Sequence, residues 1–125
     1  MEYLDVEVLK GKTLKEIKVS EDKSEIYFTD SEDTQYKMYH DQNCCESVYL
    51  EDVVGDLSDL LGSPILTARE DTNRESNPED LPDYTNYDSF TWTFYNFATI
   101  KGSVTMRWYG ESNGYYSESV DFVKL

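Results

Sequence analysis

Apolar and polar residues alternate along the first forty positions of the chain, which is the pattern of half-buried β-strands. Two such runs lie within KEIKVSEDKSEIYFT, where a polar turn at 20–24 separates them, and a third follows in TQYKMYH. The alternating apolar positions are Ile17, Val19, Ile26, Phe28, Tyr36 and Met38. The pattern predicts three consecutive antiparallel strands.

The spacing changes after the two adjacent cysteines. The apolar residues of SVYLEDVVG have the spacing of one face of a short helix, which would begin at Ser47 and end at Gly55. Those residues are Val48, Leu50 and Val53. A second short helix or turn is predicted over 57–61, and PILTARE at 64–70 predicts a strand.

Residues 71–89 form a long polar loop that is rich in Asn, Asp and Ser and contains two prolines. A loop of this length inside a compact domain is either disordered or functional. The sequence leaves both alternatives open.

The clearest prediction is a β-hairpin over 90–109, FTWTFYNFATIKGSVTMRWY. Two β-rich runs flank the Lys-Gly pair at 101–102, and a two-residue loop with glycine second is typical of a tight hairpin turn. That turn places Asn96 opposite Arg107.

Alternation sorts this hairpin into two faces. The first is apolar and is predicted to be core: Tyr95, Phe97, Val104, Met106 and Trp108. The second, called here the mixed face, combines large rings with an amide and a guanidinium: Trp92, Phe94, Asn96, Thr105, Arg107 and Tyr109. A final strand is predicted in SESVDFVKL.

These elements predict an α+β fold in a single domain over 1–125. It would be built mainly on one antiparallel β-sheet of six to eight strands, with one or two short helices. The length of 125 residues fits one domain with a modest core.

Charge narrows the classes of partner. The net charge of −15 repels DNA, RNA and anionic membranes, and favours a soluble protein or one that meets a basic partner. No segment approaches the roughly 18 apolar residues of a membrane span. The start MEYLDVEVLKGK has no basic region followed by an apolar run, so no signal peptide and a cytoplasmic location are expected.

Cys44 and Cys45 are the only cysteines. Neighbours on a chain rarely form an unstrained disulfide, so reduced thiols are expected. With His40 and Glu46 they have the composition of a metal site, but two adjacent cysteines do not easily both reach one ion. No metal or other cofactor is therefore predicted. The alternative is a turn into the first helix, in which a cysteine packs as a small apolar residue and His40 bonds a backbone group.

Catalysis is not indicated. His40 is the only histidine, and the chain has no nucleophile elbow, phosphate loop or metal-binding motif. Residue types alone allow a Cys45–His40 nucleophile pair, which nothing else in the chain supports. No catalytic residue is predicted.

The mixed face has the residue types of a nucleotide site. Rings stack on a base, a guanidinium holds phosphate in a fork, and an amide reads a base or ribose edge. The candidate ligand-binding residues are Trp92, Phe94, Asn96, Lys101, Arg107, Tyr109, Asn113 and Tyr115. The last two lie in GESNGYY, whose glycines let the backbone approach a ligand. Alternatively, the rings pack on another sheet or a second subunit.

Three stretches are similar to a family of small phage-encoded proteins, the Thoeris anti-defence sponges of the first type. They are HDQNCCESVYLEDVVGDL (40–57), TWTFYNFATIKG (91–102) and RWYGESNGYYS (107–117), about a third of the chain in the family's order. Val54 departs from the family pattern, which has a cysteine there. That position lies in the predicted first helix and bears little on ligand binding.

The resemblance implies a non-enzymatic protein of the infected cell's cytoplasm. Such sponges bind glycocyclic ADP-ribose, the signal made by bacterial TIR immune proteins, and hold it without cleaving it. The resemblance also implies a homo-oligomer, a dimer or higher with a hexamer as one option, with ligand held between subunits. Cyclic oligonucleotides are implied as further ligands of a separate site.

On this chain the adenine would stack on Phe94, Trp92 or Tyr109. Arg107 would hold the pyrophosphate, and Asn96 would read ribose or base. The loop at 71–89, with Arg74, Tyr84 and Tyr87, would close over the ligand from the same or a neighbouring subunit.

Two other functions are consistent with the sequence. An acidic interaction protein, such as a nucleic-acid mimic or an antirestriction or immunity-type inhibitor, would account for the net charge. A structural component of the virion would account for the aromatic content.

Overall fold

Two antiparallel sheets make up the fold in the computed structural model, which describes residues 2–74 and 89–125. In that part of the chain there are nine strands, and both helices are single 3-10 turns. The strands are β1 (Glu2–Tyr3), β2 (Leu14–Val19), β3 (Glu25–Asp30), β4 (Gln35–Tyr39), β5 (Ser47–Val54), β6 (Thr67–Asn73), β7 (Ser89–Thr99), β8 (Gly102–Ser112) and β9 (Asp121–Lys124). The predicted fold class is confirmed, but with two sheets instead of one.

The first sheet has the strand order β1-β9-β4-β3-β2. The early alternation predicts β2, β3 and β4, which form one side of this sheet with β2 at its edge, and β9 is the predicted last strand. The pairs Ile17 with Phe28 and Met38 with Phe122 align the inward residues. The short β1 has no alternating pattern of its own, so the sequence does not predict it.

The second sheet has the order β5-β8-β7-β6 and contains the predicted hairpin as β7 and β8. The predicted register is wrong by two residues, because the turn joins Thr99 to Gly102 and Asn96 lies opposite Thr105. Phe94, not Asn96, is the partner of Arg107. Since side chains alternate with a period of two, a shift of two residues leaves both predicted faces intact.

The predicted first helix is wrong, since residues 47–54 form the strand β5. The pairing of β5 with β8 shifts between Leu50 and Asp52, which leaves Glu51 as the extra residue of a β-bulge. The inward positions are therefore Val48, Leu50 and Val53. A bulge of one residue thus produces the same spacing as a helical face.

The inner faces of the two sheets pack on each other to form the core. Phe28 of the first sheet lies 6.0 Å from Phe97 of the second, measured between ring centroids, and 5.8 Å from Phe122. All five hairpin residues predicted to be core are buried: Tyr95, Phe97, Val104, Met106 and Trp108.

The two 3-10 helices span Val6–Leu9 and Leu57–Leu60. The second matches the prediction for 57–61, and the Asp56 carboxylate caps it by accepting from the Ser58 N–H at 2.9 Å. The predicted loop at 71–89 begins too early, because β6 continues to Asn73. Residues 75–88, with Tyr84 and Tyr87, lie outside the described residues.

Candidate functional site

The outer face of the second sheet carries the mixed face of the hairpin, extended by Tyr49 of β5. Strand pairing puts Tyr49, Tyr109, Trp92 and Asn73 in one row across the four strands. The next row contains Arg107 and Phe94. Tyr49, Trp92, Phe94, Arg107 and Tyr109 are called here the aromatic face.

Arg107 is at the centre of this face and is buried, with 7% of its surface exposed. Its Nε donates to Glu51 Oε2 at 2.7 Å and its Nη2 to Glu51 Oε1 at 3.2 Å, a two-pronged ion pair. Asp52 Oδ2 lies 3.6 Å from Nη2. The bulge in β5 brings both neighbouring carboxylates to this guanidinium, because it interrupts the alternation between Leu50 and Asp52.

The rings of the aromatic face contact each other, and the Trp92 ring also contacts the guanidinium. The ring centroids of Trp92 and Tyr109 are 4.7 Å apart, and those of Tyr49 and Tyr109 are 6.0 Å apart. The guanidinium carbon of Arg107 lies 5.8 Å from the Trp92 ring centroid, which is within cation–π range. Trp92 and Tyr109 are buried, whereas Phe94 is half-buried. The mixed face is thus less open than the sequence predicts.

Five of the eight predicted site residues lie together on this face: Trp92, Phe94, Asn96, Arg107 and Tyr109. Asn96 is at its edge, where its amide accepts from the Thr105 hydroxyl at 2.7 Å and donates to Asp71 at 3.3 Å.

The other three predicted site residues lie elsewhere. Lys101 is in the hairpin turn, where its Nζ donates to the Leu61 carbonyl at 2.6 Å. Asn113 and Tyr115 are exposed in the turn that follows β8, at the opposite end of the hairpin. The full length of β8 therefore separates Asn113 and Tyr115 from Lys101.

A buried carboxylate that the sequence does not predict organises the loop at 40–46. The side chain of Glu46 is fully buried and lies 2.6 Å from His40 Nε2. It also accepts from the backbone N–H of Asn43 at 2.8 Å and of Cys44 at 2.9 Å. Burial by itself raises the pKa of this carboxyl, but the hydrogen bonds from His40, Cys44 and Asn43 lower it from 4.5 to about 2.

His40 connects this loop to the segment after β8, because its Nδ1 donates to the Ser119 carbonyl at 2.7 Å. The predicted backbone hydrogen bond of His40 is therefore confirmed. Two expectations for the cysteines are wrong: Cys44 and Cys45 are joined in a disulfide, and both are exposed at the tip of the loop instead of packed. The Glu46 contacts hold the loop in a compact turn that displays the cysteine pair outward.

Glu118 is a second buried carboxylate at this end of the molecule. It accepts from the hydroxyls of Thr91 at 2.7 Å and Ser112 at 2.5 Å. Its backbone passes so close to Gly110 that a Cβ on that glycine would lie 2.8 Å from the Glu118 carbonyl oxygen. The two buried glutamates thus fix the two loops that flank the end of the second sheet.

The aromatic face offers ring surface, one guanidinium and the carboxylates of Glu51 and Asp52. In the part of the chain that the structure describes, no group of three or more His, Cys, Asp or Glu side chains is placed to hold a metal ion.

Fold and face together define a small acidic protein of two antiparallel sheets with an arginine-centred aromatic face. The chain belongs to the family of the domain of unknown function DUF7448, whose model matches residues 7–122. No curated protein and no solved structure matches the chain. None of the helices in the described ranges is long and apolar enough to cross a membrane.

Proposed function

We propose that this protein is a non-enzymatic sponge that binds a nucleotide-type immune signal and holds it without cleaving it. The proposed ligand is glycocyclic ADP-ribose made by TIR proteins, with cyclic oligonucleotides as further ligands, and the proposed place of action is the cytoplasm of an infected bacterium. The family description assigns no function. Support comes from the three stretches that resemble Thoeris anti-defence sponges and from the aromatic face.

The observation that carries the proposal is the position of Arg107 among four rings. A cation beside stacked aromatic side chains is complementary to a base next to a phosphate. Phe94 and Tyr49 are the two half-buried rings of the set, and Phe94 lies directly opposite Arg107, so Phe94 is the ring on which we expect the base to stack. Asn96 lies at the edge of the same face, where its amide can reach a ribose hydroxyl.

A protein that sequesters a signal must also bind it with high affinity. A sponge has to bind at about nanomolar Kd, which corresponds to about −12 kcal/mol. A small ligand reaches that value only when it is nearly engulfed. One sheet face provides a single wall, and we propose that a second copy of the chain provides the other, in a homo-oligomer.

Glu51 sets the electrostatic condition for binding. Its carboxylate already occupies the Nε edge of Arg107, so a phosphate has to replace it or bind elsewhere on the guanidinium. Replacement exchanges one charge-assisted pair for another, and Glu51 then turns to solvent. We therefore expect Glu51 to weaken ligand binding in the wild-type protein.

Calorimetric titration with glycocyclic ADP-ribose tests the proposal. We expect tight binding by the wild-type protein, and mass spectrometry of the heat-released ligand should show it intact. Glu51→Gln should bind about tenfold more tightly, because it removes one of the carboxylates that compete with the ligand for the guanidinium. The double variant Arg107→Gln, Glu51→Gln should lose binding by at least about a hundredfold.

The double variant removes both charges of the Arg107–Glu51 pair, and Asp52, the other carboxylate beside Arg107, is about half exposed, so its loss of this partner should not unfold the protein. Lys18→Gln is the matched control, since Lys18 is an exposed cation of β2 in the first sheet and lies 4.0 Å from Glu16. It should bind like the wild type. Release of a cleaved product, or full binding by the double variant, would exclude the proposal.

The second candidate is an acidic protein that blocks a basic partner, and the charge of the molecule favours it. The chain has 26 acidic and 11 basic side chains, and the ion pairs with Glu51 and Asp52 neutralise Arg107. Such a complex should weaken steeply with added salt, whereas an engulfed small ligand should lose much less affinity. A salt titration of the bound complex separates the two functions.

A further inference from the structure

A polar cavity of about 180 Å³ lies at the end of the second sheet, close to where β6 ends and β7 begins. It is distinct from the aromatic face. Its wall includes Arg74, Ser89, Thr91, Tyr116, Ser117 and Glu118. The cavity therefore combines one guanidinium, one carboxylate, several hydroxyls and one ring.

The carboxylate in this wall is buried and has no cationic partner among the described residues. Glu118 is 8% exposed, and its two partners are the hydroxyls of Thr91 and Ser112. Glu46, by contrast, has His40 and two backbone N–H groups around it. A buried carboxylate that lacks a positive partner is costly, so the site favours a ligand that brings a cation.

The guanidinium in the same wall is exposed. Arg74 forms no ion pair within the described ranges, and it does not reach Glu118. The cavity thus presents a buried negative group and a separate, solvent-facing positive group. Hydroxyls, which both donate and accept hydrogen bonds, line the space between these charges.

We infer that this cavity binds a small zwitterion of the α-amino-acid class. The ammonium group of the ligand donates to Glu118, and its carboxylate accepts a two-pronged hydrogen bond from Arg74. The hydroxyl of Ser89, in the same wall, can meet the remaining polar atoms of the ligand. Both charged ends of the ligand are needed, because each pairs with a protein group that has no oppositely charged partner among residues 2–74 and 89–125.

Isothermal titration with serine and alanine tests the inference, with ethanolamine and glycolate as probes that each lack one charged end. We expect both amino acids to bind, and each of the other two probes to bind at least about tenfold more weakly. Equal binding of ethanolamine would overturn the inference, since the carboxylate would then be irrelevant. So would the absence of binding by either amino acid up to about 10 mM.

Two variants connect the binding to the cavity. Glu118→Gln keeps the shape of the side chain and removes its charge, and Arg74→Gln removes the guanidinium at an exposed position. Each should weaken serine binding by about tenfold. The matched controls are Glu111→Gln, a half-buried glutamate of β8, and Arg69→Gln, both of which should bind serine as the wild type does.

Thermal denaturation of each variant shows whether it is folded. If Glu118→Gln does not fold, Arg74→Gln alone decides, because the side chain of Arg74 is exposed and an exposed charge contributes little to stability. Wild-type serine affinity in the folded variants would overturn the inference. The inferred amino-acid site does not involve the aromatic face, so these experiments test it independently of the proposed sponge function.

Discussion

At the level of single residues, the two tryptophans of the hairpin experience different environments. Trp108 points inward and is fully buried in the core between the sheets, whereas Trp92 is buried on the outer face within cation–π range of Arg107. Alternation along β7 and β8 assigns them to opposite faces. Their sizes are equal, so their roles follow from strand parity alone.

Trp108→Ala should therefore destabilise the fold by about 3–5 kcal/mol, because it removes a large ring from the core and leaves a cavity. Urea denaturation followed by circular dichroism measures the loss. Tyr115→Ala is the control, since Tyr115 is 88% exposed and its truncation should leave the midpoint unchanged. A loss below about 1 kcal/mol for Trp108→Ala would contradict the core assignment.

Glu46 gives a prediction about pH. Its pKa is about 2 in the folded protein against 4.5 as the ordinary value, so its contacts stabilise the fold fully above pH 4.5. That contribution is lost as the pH falls from 4.5 through about 2, because the carboxyl must then be protonated.

The melting temperature of Glu46→Gln should accordingly lie below that of the wild type at neutral pH. The gap should narrow as the pH falls from 4.5 towards 2. Glu21→Gln, at an exposed turn position, serves as control and should show no comparable gap. A gap that stays constant over this pH range would mean that Glu46 does not act through its charge.

At the level of elements, the second sheet depends on a close approach between β8 and the segment after it. A Cβ at position 110 would lie 2.8 Å from the Glu118 carbonyl oxygen and 2.9 Å from the Glu118 Cβ. Glycine is therefore required at this position by lack of space. The same approach positions Glu118 beside Thr91 and Ser112.

Gly110→Ala should destabilise the protein by about 1–3 kcal/mol, since backbone has to move to admit the methyl group. Gly114→Ala is the comparison, because a Cβ there meets nothing within 4 Å and only its positive φ of 94° causes strain. That change should cost about 1 kcal/mol. Serine binding should also weaken in Gly110→Ala. If the melting temperature of this variant were unchanged, the segment that contains Glu118 would be able to move away at no cost, and the space argument would be wrong.

The strands also show which secondary structure can be predicted from the local pattern of apolar and polar residues. Strict alternation predicts β2, β3, β4 and the hairpin, because one face of each of these strands packs on the core and the opposite face does not. The same reasoning fails for β5, where the bulge at Glu51 gives the inward residues a helical spacing. A bulge depends on the partner strand, so no pattern within 47–54 distinguishes it from a helix.

At the level of the whole molecule, the net charge of −15 on 125 residues opposes compaction. The described ion pairs, apart from His40–Glu46 and Arg107–Glu51, are on side chains that are partly or largely exposed, so they offset little of this repulsion. Screening by salt should consequently stabilise the fold.

Raising sodium chloride from about 0.01 M to about 0.1 M shortens the screening length from about 30 Å to about 10 Å, so the melting temperature should rise. A variant with Glu7, Glu21 and Glu32 changed to Gln has a net charge of −12, from −15 + 3, and should respond less. All three positions are exposed. A melting temperature that falls with salt would mean that the surface ion pairs outweigh the repulsion.

The sequence by itself determined the β-rich class, the two faces of the hairpin and the acidic character of the surface, because these depend on residue type and on a period of two. The tertiary structure decided the pairing register, the bulge that brings Glu51 and Asp52 to Arg107, and the contacts of His40 with Glu46 and Ser119. It also decided that Glu118 and Arg74 line one cavity. Each of those features either joins residues that are distant along the chain or depends on a neighbouring strand. They therefore cannot be predicted from a local sequence pattern.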